Sequence, residues 1–146
     1  MRIYLDTCSL QRPLDSKKQI RTILEAEAVL GILTLCESGE IGLVSSEVLV
    51  FEIDRNPDVT RREYGLAVLS KASTFVLLSE QVEKRARELG AAGIKPLDAL
   101  HLASAEEAQA DYLCTCDDKF LKRAQAFPGL KTMVVSPAEL IEELER

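Results

Sequence analysis

The sequence has few of the residues on which several classes of protein depend. It contains no tryptophan and a single histidine, His101, in 146 residues. We expect its four cysteines to be reduced, and we expect Cys114 and Cys116, whose spacing matches no zinc motif, to be small core residues. No apolar run approaches the length of a membrane span, and the apolar start of the chain is too short for a signal peptide. We therefore expect a protein of the cytoplasm, where cysteines stay reduced.

Basic residues are also in the minority. The chain carries 18 Lys and Arg against 24 Asp and Glu, a formal net charge of -6. This balance argues against a general cationic binder of nucleic acid, because such proteins need a positive surface. An acidic protein that acts on nucleic acid needs a local basic rim, or metal ions that offset clustered acids. The length suits one domain, and since no linker or repeat interrupts it, we expect a single domain over 1–146.

Predicted strands alternate with predicted helices along the chain. The strands are Arg2–Leu5, Ile41–Val44, Thr74–Leu78, Asp111–Thr115 and Leu130–Val135. The predicted helices with defined bounds are 19–36, 60–71, 80–89, 96–109 and 118–126. A further helix follows Ser45 and Ser46 and includes 47–53, and the last helix begins at Pro137. Leu10–Lys18 is predicted to be a loop with some turn character. The alternation predicts an α/β fold, a three-layer α/β/α sandwich around a central, mainly parallel five-stranded sheet.

Four acidic residues stand where such a fold can bring them together. Asp6 follows the first strand, Asp117 follows the fourth, Glu52 lies in the helix after the second, and Asp98 opens the helix before the fourth. If the first and fourth strands are neighbours, Asp6 and Asp117 face each other across the crevice at the carboxyl ends. Each acid also has a plainer interpretation as a turn former, a helix cap, a helix-dipole charge or a solvent-facing side chain.

Clustered carboxylates favour a particular chemistry if they do converge. They repel one another unless a cation offsets their charge. Oxygen ligands with only one histidine favour Mg²⁺ or Mn²⁺ over zinc, and such a site activates water for displacement at phosphorus. Four arginines are candidates for phosphate contacts or, alternatively, ordinary solvated charges: Arg12, Arg55, Arg61 and Arg62.

Four stretches of the chain resemble, in order, the successive motifs of a PIN domain. They are Ile3–Thr7, Val44–Ile53, Lys95–Ala103 and Cys114–Phe120, and together they span nearly the whole chain. The resemblance implies a metal-dependent ribonuclease in which Asp6, Glu52, Asp98 and Asp117 bind Mg²⁺ or Mn²⁺. A metal-activated water would then hydrolyse RNA to leave a 5′-phosphate and a 3′-hydroxyl.

The same resemblance bears on partners and on two close alternatives. Many small prokaryotic PIN domains resemble VapC toxins, which implies the toxin of a type II toxin–antitoxin pair, an antitoxin partner and a homodimer. The match favours Glu52 over Glu47 and Asp117 over Asp118, and it makes Thr7 and Thr115 supporting polar groups near the metal. A PIN fold with intact acids but little catalysis, used as a binding or regulatory module, is the alternative from another class.

Two features limit what can be said of the substrate. The aromatic residues are few and scattered, so the chain offers no stacking platform for single-stranded bases. His101 lies one helical turn beyond Asp98, but a metal-activated water needs no histidine as base, and we expect a half-buried structural histidine. Other phosphate-handling folds fit poorly, since a haloacid-dehalogenase-like phosphatase needs an aspartate where Cys8 stands.

Overall fold

The computed structural model describes residues 1–146 and contains five strands and eight α-helices. The strands are β1 (Arg2–Leu5), β2 (Gly42–Ser46), β3 (Thr74–Val76), β4 (Tyr112–Cys114) and β5 (Met133–Val135). The helices are α1 (Thr7–Gln11), α2 (Ile20–Glu37), α3 (Glu47–Asp54), α4 (Val59–Leu69), α5 (Glu80–Ala91), α6 (Pro96–Glu107), α7 (Asp118–Ala126) and α8 (Pro137–Leu144). None of these helices has the length and apolar character needed to cross a membrane.

The sheet has the strand order β3-β2-β1-β4-β5, and all four strand pairings are parallel. Its central strand is β1, in which Ile3, Tyr4 and Leu5 have no exposed surface. The chain leaves β1 toward β2 on one side and reaches β4 on the other, so a crevice opens beside β1 at the carboxyl ends of the strands. The predicted α/β sandwich is confirmed, and so is the neighbourhood of the first and fourth strands.

Helices cover the sheet in groups that pack against each other. The pair α5 and α6 makes the most extensive helix–helix contact, α3 packs on α4, and α2 packs on α8. Helix α6 is nearly enclosed, with seven buried residues between Ala99 and Glu106, as its small and apolar composition predicts. Side-chain caps begin several helices, and Ser136 forms a full capping box at the start of α8.

The prediction of a loop over Leu10–Lys18 was wrong for its first half. The chain turns directly from β1 into α1 and then into a 3₁₀ turn at Arg12–Leu14. The Asp6 carboxylate caps α1 by accepting the backbone N–H of Ser9, and Leu10 is fully buried beneath it. A helix this short carries too little periodicity to be recognised from sequence alone.

Three strands, β3, β4 and β5, are shorter than predicted, and carboxylates accept backbone N–H groups near the ends of two of them. Beyond β3, the N–H of Leu78 donates to the Glu47 side chain at 2.9 Å. Before β5, the N–H of Lys131 donates to the Glu106 side chain at 2.8 Å. Each carboxylate therefore satisfies a backbone donor that the ladder of the sheet does not.

Candidate active site

The four predicted acids line one pocket at the carboxyl end of the sheet. The pocket has a volume of about 260 Å³. Nine residues line it: Asp6, Thr7, Cys8, Arg12, Glu52, Asp98, His101, Cys116 and Asp117. The lining residues either follow β1 and β4 in the chain or lie within α3 and α6. Their convergence therefore depends on the strand order.

Asp6 and Asp117 serve as helix caps and face the pocket at the same time. Asp6 is 4% exposed and accepts the Ser9 N–H on Oδ1 at 3.1 Å. Asp117 uses its own Oδ1 to accept two backbone N–H groups of α7, at 2.9 and 3.2 Å. The capping role therefore engages one oxygen of each carboxylate and does not conflict with a role in the pocket.

Glu52 is held by hydrogen bonds to a single oxygen. Thr7 Oγ1 donates to Glu52 Oε1, and His101 Nε2 lies 2.9 Å from the same atom. Glu52 Oε2 makes no hydrogen bond to the protein. Glu47, the close alternative, accepts the N–H of Leu78 instead and does not line the pocket.

Asp98 has the fewest hydrogen-bond partners of the four acids. Its carboxylate accepts no hydrogen bond from the protein. Burial raises the pKa of Asp98, and the nearby charges of Asp117 and Glu52 raise it further. The direction of this shift follows from burial together with the proximity of Asp117 and Glu52 to Asp98 in the pocket.

The other two shifted acids differ because their partners differ. Burial raises the pKa of Asp6 well above its usual value. Burial also acts to raise the pKa of Glu52, but the hydrogen bonds from His101 and Thr7 outweigh it and leave that pKa lowered. Donors to the ionised form thus decide which carboxylate keeps its charge most readily.

Asp118 and Thr115 lie outside the pocket lining. Asp118 forms a bidentate pair with Arg21, with both N–O distances 2.8 Å, and it faces solvent. Thr115 is buried behind the pocket, where its hydroxyl accepts the N–H of Asp117 at 3.1 Å. The Thr115 hydroxyl also acts to lower the pKa of Asp6, so it bears on both capping acids.

Most of the candidate arginines are already engaged elsewhere. Arg12 lies in the pocket wall but pairs with Asp15 at 2.8 Å and Glu25 at 3.1 Å. Arg61 also pairs with Asp15, at 2.7 Å.

The remaining two arginines lie outside the pocket lining. Arg62 donates to the carbonyl oxygen of Asn56, and Arg55 stacks over the exposed ring of Phe51 at 4.3 Å. Arg55 alone among the four has no carboxylate or carbonyl partner.

The ligand chemistry of the pocket fits a hard divalent cation. Glu52 Oε2 and Asp117 Oδ2 make no hydrogen bond to the protein, and neither does Asp98. Such oxygens are the ligands that Mg²⁺ and Mn²⁺ prefer. No three His, Cys, Asp or Glu side chains, however, are close enough together to hold an ion in this arrangement. Mutual repulsion among like charges is a physical reason for their separation.

Sequence reasoning missed or misassigned three neighbours of the acids. Cys8, for which the sequence predicted no role, is exposed and lines the pocket, whereas Cys114 and Cys116 are buried as expected. Tyr4 contacts His101, a partnership between residues 97 apart that no local pattern reveals. The position of His101 one turn after Asp98 was the only available signal for its place beside the acids.

Comparison with known proteins agrees with this geometry. A family model described as PIN domain matches residues 3–126. No curated protein matches the chain by sequence.

Solved structures that share the fold include chains of FitAB and of VapBC2. A chain of FitAB bound to an IR36 DNA fragment is 18% identical, with a TM-score of 0.58 and coverage of 92% of this chain and 94% of that one. A chain of VapBC2 from Rickettsia felis, bound to a DNA fragment from its promoter, is 15% identical, with a TM-score of 0.58 and coverage of 93% and 98%.

Proposed function

This chain belongs to the PIN domain family, and we propose that it is a metal-dependent endoribonuclease. PIN domains are generally nucleases. We assign the activity to a single domain over 1–146, with Asp6, Glu52, Asp98 and Asp117 as the ligands of Mg²⁺ or Mn²⁺. The reaction is hydrolysis of an RNA phosphodiester that leaves a 5′-phosphate and a 3′-hydroxyl.

The observation that carries the proposal is the convergence of four carboxylates in one pocket. They come from four separate parts of the chain, and the charges of Asp117 and Glu52 act on Asp98. A protein that needed these acids only as caps would gain nothing from placing them together, because their repulsion is destabilising. A bound cation gives the arrangement a purpose.

Each acid contributes in a way that its surroundings define. Asp6 and Asp117 are oriented by the helices they cap, and Glu52 is oriented by His101 and Thr7. Asp98, which lacks a protein partner, is free to rotate toward a ligand. A divalent cation held there supplies an activated water and offsets negative charge at the phosphoryl group. Thr115 supports Asp6 and Asp117 from behind.

The charge distribution bears on how RNA would be met. The net charge is -6, and Arg12 and Arg61 are paired with carboxylates. The charge of Lys95, in contrast, lies near enough to Asp98 to act on its pKa. A bound cation would add positive charge at the pocket, and Arg55, which has no carboxylate or carbonyl partner, is the candidate arginine free to contact a phosphate.

We propose further that the protein is the toxin of a type II toxin–antitoxin pair. FitAB and VapBC2, two of the solved structures that share the fold, are each bound to a DNA fragment, which for VapBC2 comes from its promoter. By analogy, an antitoxin would be the protein partner of this chain, and a homodimer its assembly. An analytical size measurement with and without the product of a neighbouring small reading frame tests both parts.

The nuclease is tested by cleavage of one structured and one unstructured RNA with Mn²⁺, Mg²⁺ or EDTA. Wild type is expected to cut in either metal and not in EDTA, and Asp98→Asn is expected to abolish cutting. Asp118→Asn is the matched control, because Asp118 pairs with Arg21 outside the pocket and its loss should leave cutting unchanged. Cutting that survives Asp98→Asn, or that ignores EDTA, would overturn the assignment.

One observation favours a second candidate function, that of a PIN-fold binding or regulatory module with little catalysis. The acids are too far apart to hold an ion as they stand, and most nearby arginines are paired. A module of this kind would bind Mn²⁺ weakly and cut neither RNA, while still binding its partner protein. The cleavage assay and a titration with Mn²⁺ together separate the two functions.

A further inference from the structure

A buried chain of hydrogen bonds leads from the core of the sheet to Glu52. The N–H of Leu49 donates to Ser46 Oγ at 3.1 Å, and Ser46 Oγ lies 2.7 Å from the Tyr4 hydroxyl. The Tyr4 hydroxyl lies 2.7 Å from His101 Nδ1, and His101 Nε2 lies 2.9 Å from Glu52 Oε1. Ser46, Tyr4 and His101 are 0%, 0% and 2% exposed. We call these three residues the relay.

The direction of every hydrogen bond in the relay follows from its ends. An ionised Glu52 only accepts, so His101 Nε2 carries a proton. In the neutral imidazole, Nδ1 then accepts from the Tyr4 hydroxyl, whose oxygen accepts in turn from the Ser46 hydroxyl. The Leu49 N–H occupies the remaining side of Ser46 Oγ. This one assignment gives each polar atom of the buried relay a partner, as buried polar groups require.

The chain of hydrogen bonds that passes through the relay begins and ends on the same helix. Leu49 and Glu52 both belong to α3, whereas Tyr4 lies in β1 and His101 in α6. Tyr4 is two residues before Asp6, and His101 is three residues after Asp98 on the same helix. The relay therefore ties together the three elements that supply Glu52, Asp6 and Asp98, and it sets how those elements sit against each other.

From this geometry we infer that Tyr4, His101 and Ser46 are positioning residues that fix Glu52 for binding of the divalent cation. Together with Thr7, they hold Oε1 of Glu52 and leave Oε2 as the oxygen available to a ligand. A glutamate side chain otherwise loses considerable rotamer freedom on binding, and this network removes that freedom beforehand. The inference rests on the proposed function, because the cation is the one that function requires.

The first test reads the relay without metal or activity. His101 is the only histidine, so the imidazole ¹⁵N resonances of tag-free protein belong to it alone. The spectrum is expected to show the Nε2–H tautomer, and Tyr4→Phe is expected to shift Nδ1 because it removes the donor to that atom. An Nδ1–H tautomer in wild type would overturn the relay.

The second test measures Mn²⁺ affinity by calorimetry. Tyr4→Phe and His101→Leu are expected to weaken binding by about 10-fold or more, the usual effect of removing an outer partner of a metal ligand. His101→Gln keeps a donor toward Glu52 and is expected to restore most of the affinity. Tyr112→Phe is the matched control, since its hydroxyl bonds to Glu143 away from the pocket. Thermal melts confirm folding, and Tyr4→Phe preserves the ring in the core.

The outcomes separate this inference from the proposed function. Wild-type affinity in both Tyr4→Phe and His101→Leu would refute the relay while leaving the metal site intact. Failure of wild type itself to bind Mn²⁺ would refute the proposed function, and the positioning role with it. Rescue by His101→Gln together with loss in His101→Leu would support positioning over a merely structural role.

Discussion

Breaking the ion pair between Arg85 and Glu106 from one side should cost far more stability than breaking an exposed pair of the same kind. Arg85 of α5 donates from Nε to Glu106 Oε1 of α6 at 2.7 Å and from Nη2 to Oε2 at 3.3 Å. The Glu106 side chain is only 4% exposed, against 25% for Arg85. The pair therefore joins the two helices in the most extensive helix–helix contact, one of which carries Asp98 and His101.

The substitution Arg85→Met removes the charge and keeps an apolar stem. It leaves a buried carboxylate without its cation, which typically costs about 3 to 5 kcal/mol. The N–H of Lys131 still donates to Glu106 at 2.8 Å, so we expect the lower end, about 3 kcal/mol. For a chain of 146 residues this loss lowers Tm by roughly 10 °C.

Urea unfolding followed by circular dichroism, with EDTA present throughout, measures the change. Lys71→Met is the matched control, because Lys71 and Glu37 pair at 2.7 Å with side chains 63% and 60% exposed. That control should lose less than about 1 kcal/mol. The double variant Arg85→Met with Glu106→Met should recover most of the loss, since no buried charge is left unpaired. Equal losses from Arg85→Met and Lys71→Met would refute the reasoning that burial sets the free-energy cost of breaking an ion pair.

Three further predictions concern the site and its supports. Asp98→Asn should raise the free energy of unfolding in EDTA near pH 7, because the substitution removes a carboxylate whose ionised form is disfavoured in the native state. The native pKa of Asp98 lies above its usual 3.8, so the cost of ionising Asp98 is absent below pH 3.8 and grows as the pH rises to the native pKa and beyond. Urea melts across pH should therefore show the gain only at the higher pH values. Arg55→Gln should weaken RNA binding and reduce the slope of log K against log salt by about 1, as measured by fluorescence anisotropy, and an unchanged slope would remove Arg55 from the interface. Gly65→Ala should destabilise by about 1 to 3 kcal/mol because its Cβ would meet Ile53 Cγ2 at 2.7 Å, whereas Gly31→Ala, with nothing within 4 Å, should stabilise by about 0.5 to 1 kcal/mol in the same melts.

The local pattern of residues along the chain was sufficient to predict the α/β architecture. Strands such as Arg2–Leu5 and caps such as Ser136 declare themselves through apolar runs and short polar signals, which are properties of neighbouring residues. Their alternation leaves few topologies open, because parallel strands need crossover helices of one hand. The helix at Thr7–Gln11 escaped this reasoning because five residues carry too little periodicity.

The arginines show where local reasoning stops. The sequence made Arg12 and Arg61 candidates for phosphate contacts, yet both pair with Asp15 in the structure. The partner of Arg61 lies 46 residues away, and no spacing rule connects them. The carboxylates fared better, because the motif order of a PIN domain carries information about which acids follow which strands.

The sequence by itself therefore determined the α/β class, the family and the four acids that end in one pocket. Only the tertiary structure revealed the partners of the two rejected alternatives, since Glu47 accepts the N–H of Leu78 and Asp118 pairs with Arg21 outside the pocket. The same holds for the link from Tyr4 through His101 to Glu52. The reason is physical: periodicity and capping act over a few residues, whereas the direction of a hydrogen bond depends on which distant elements the strand order brings into contact.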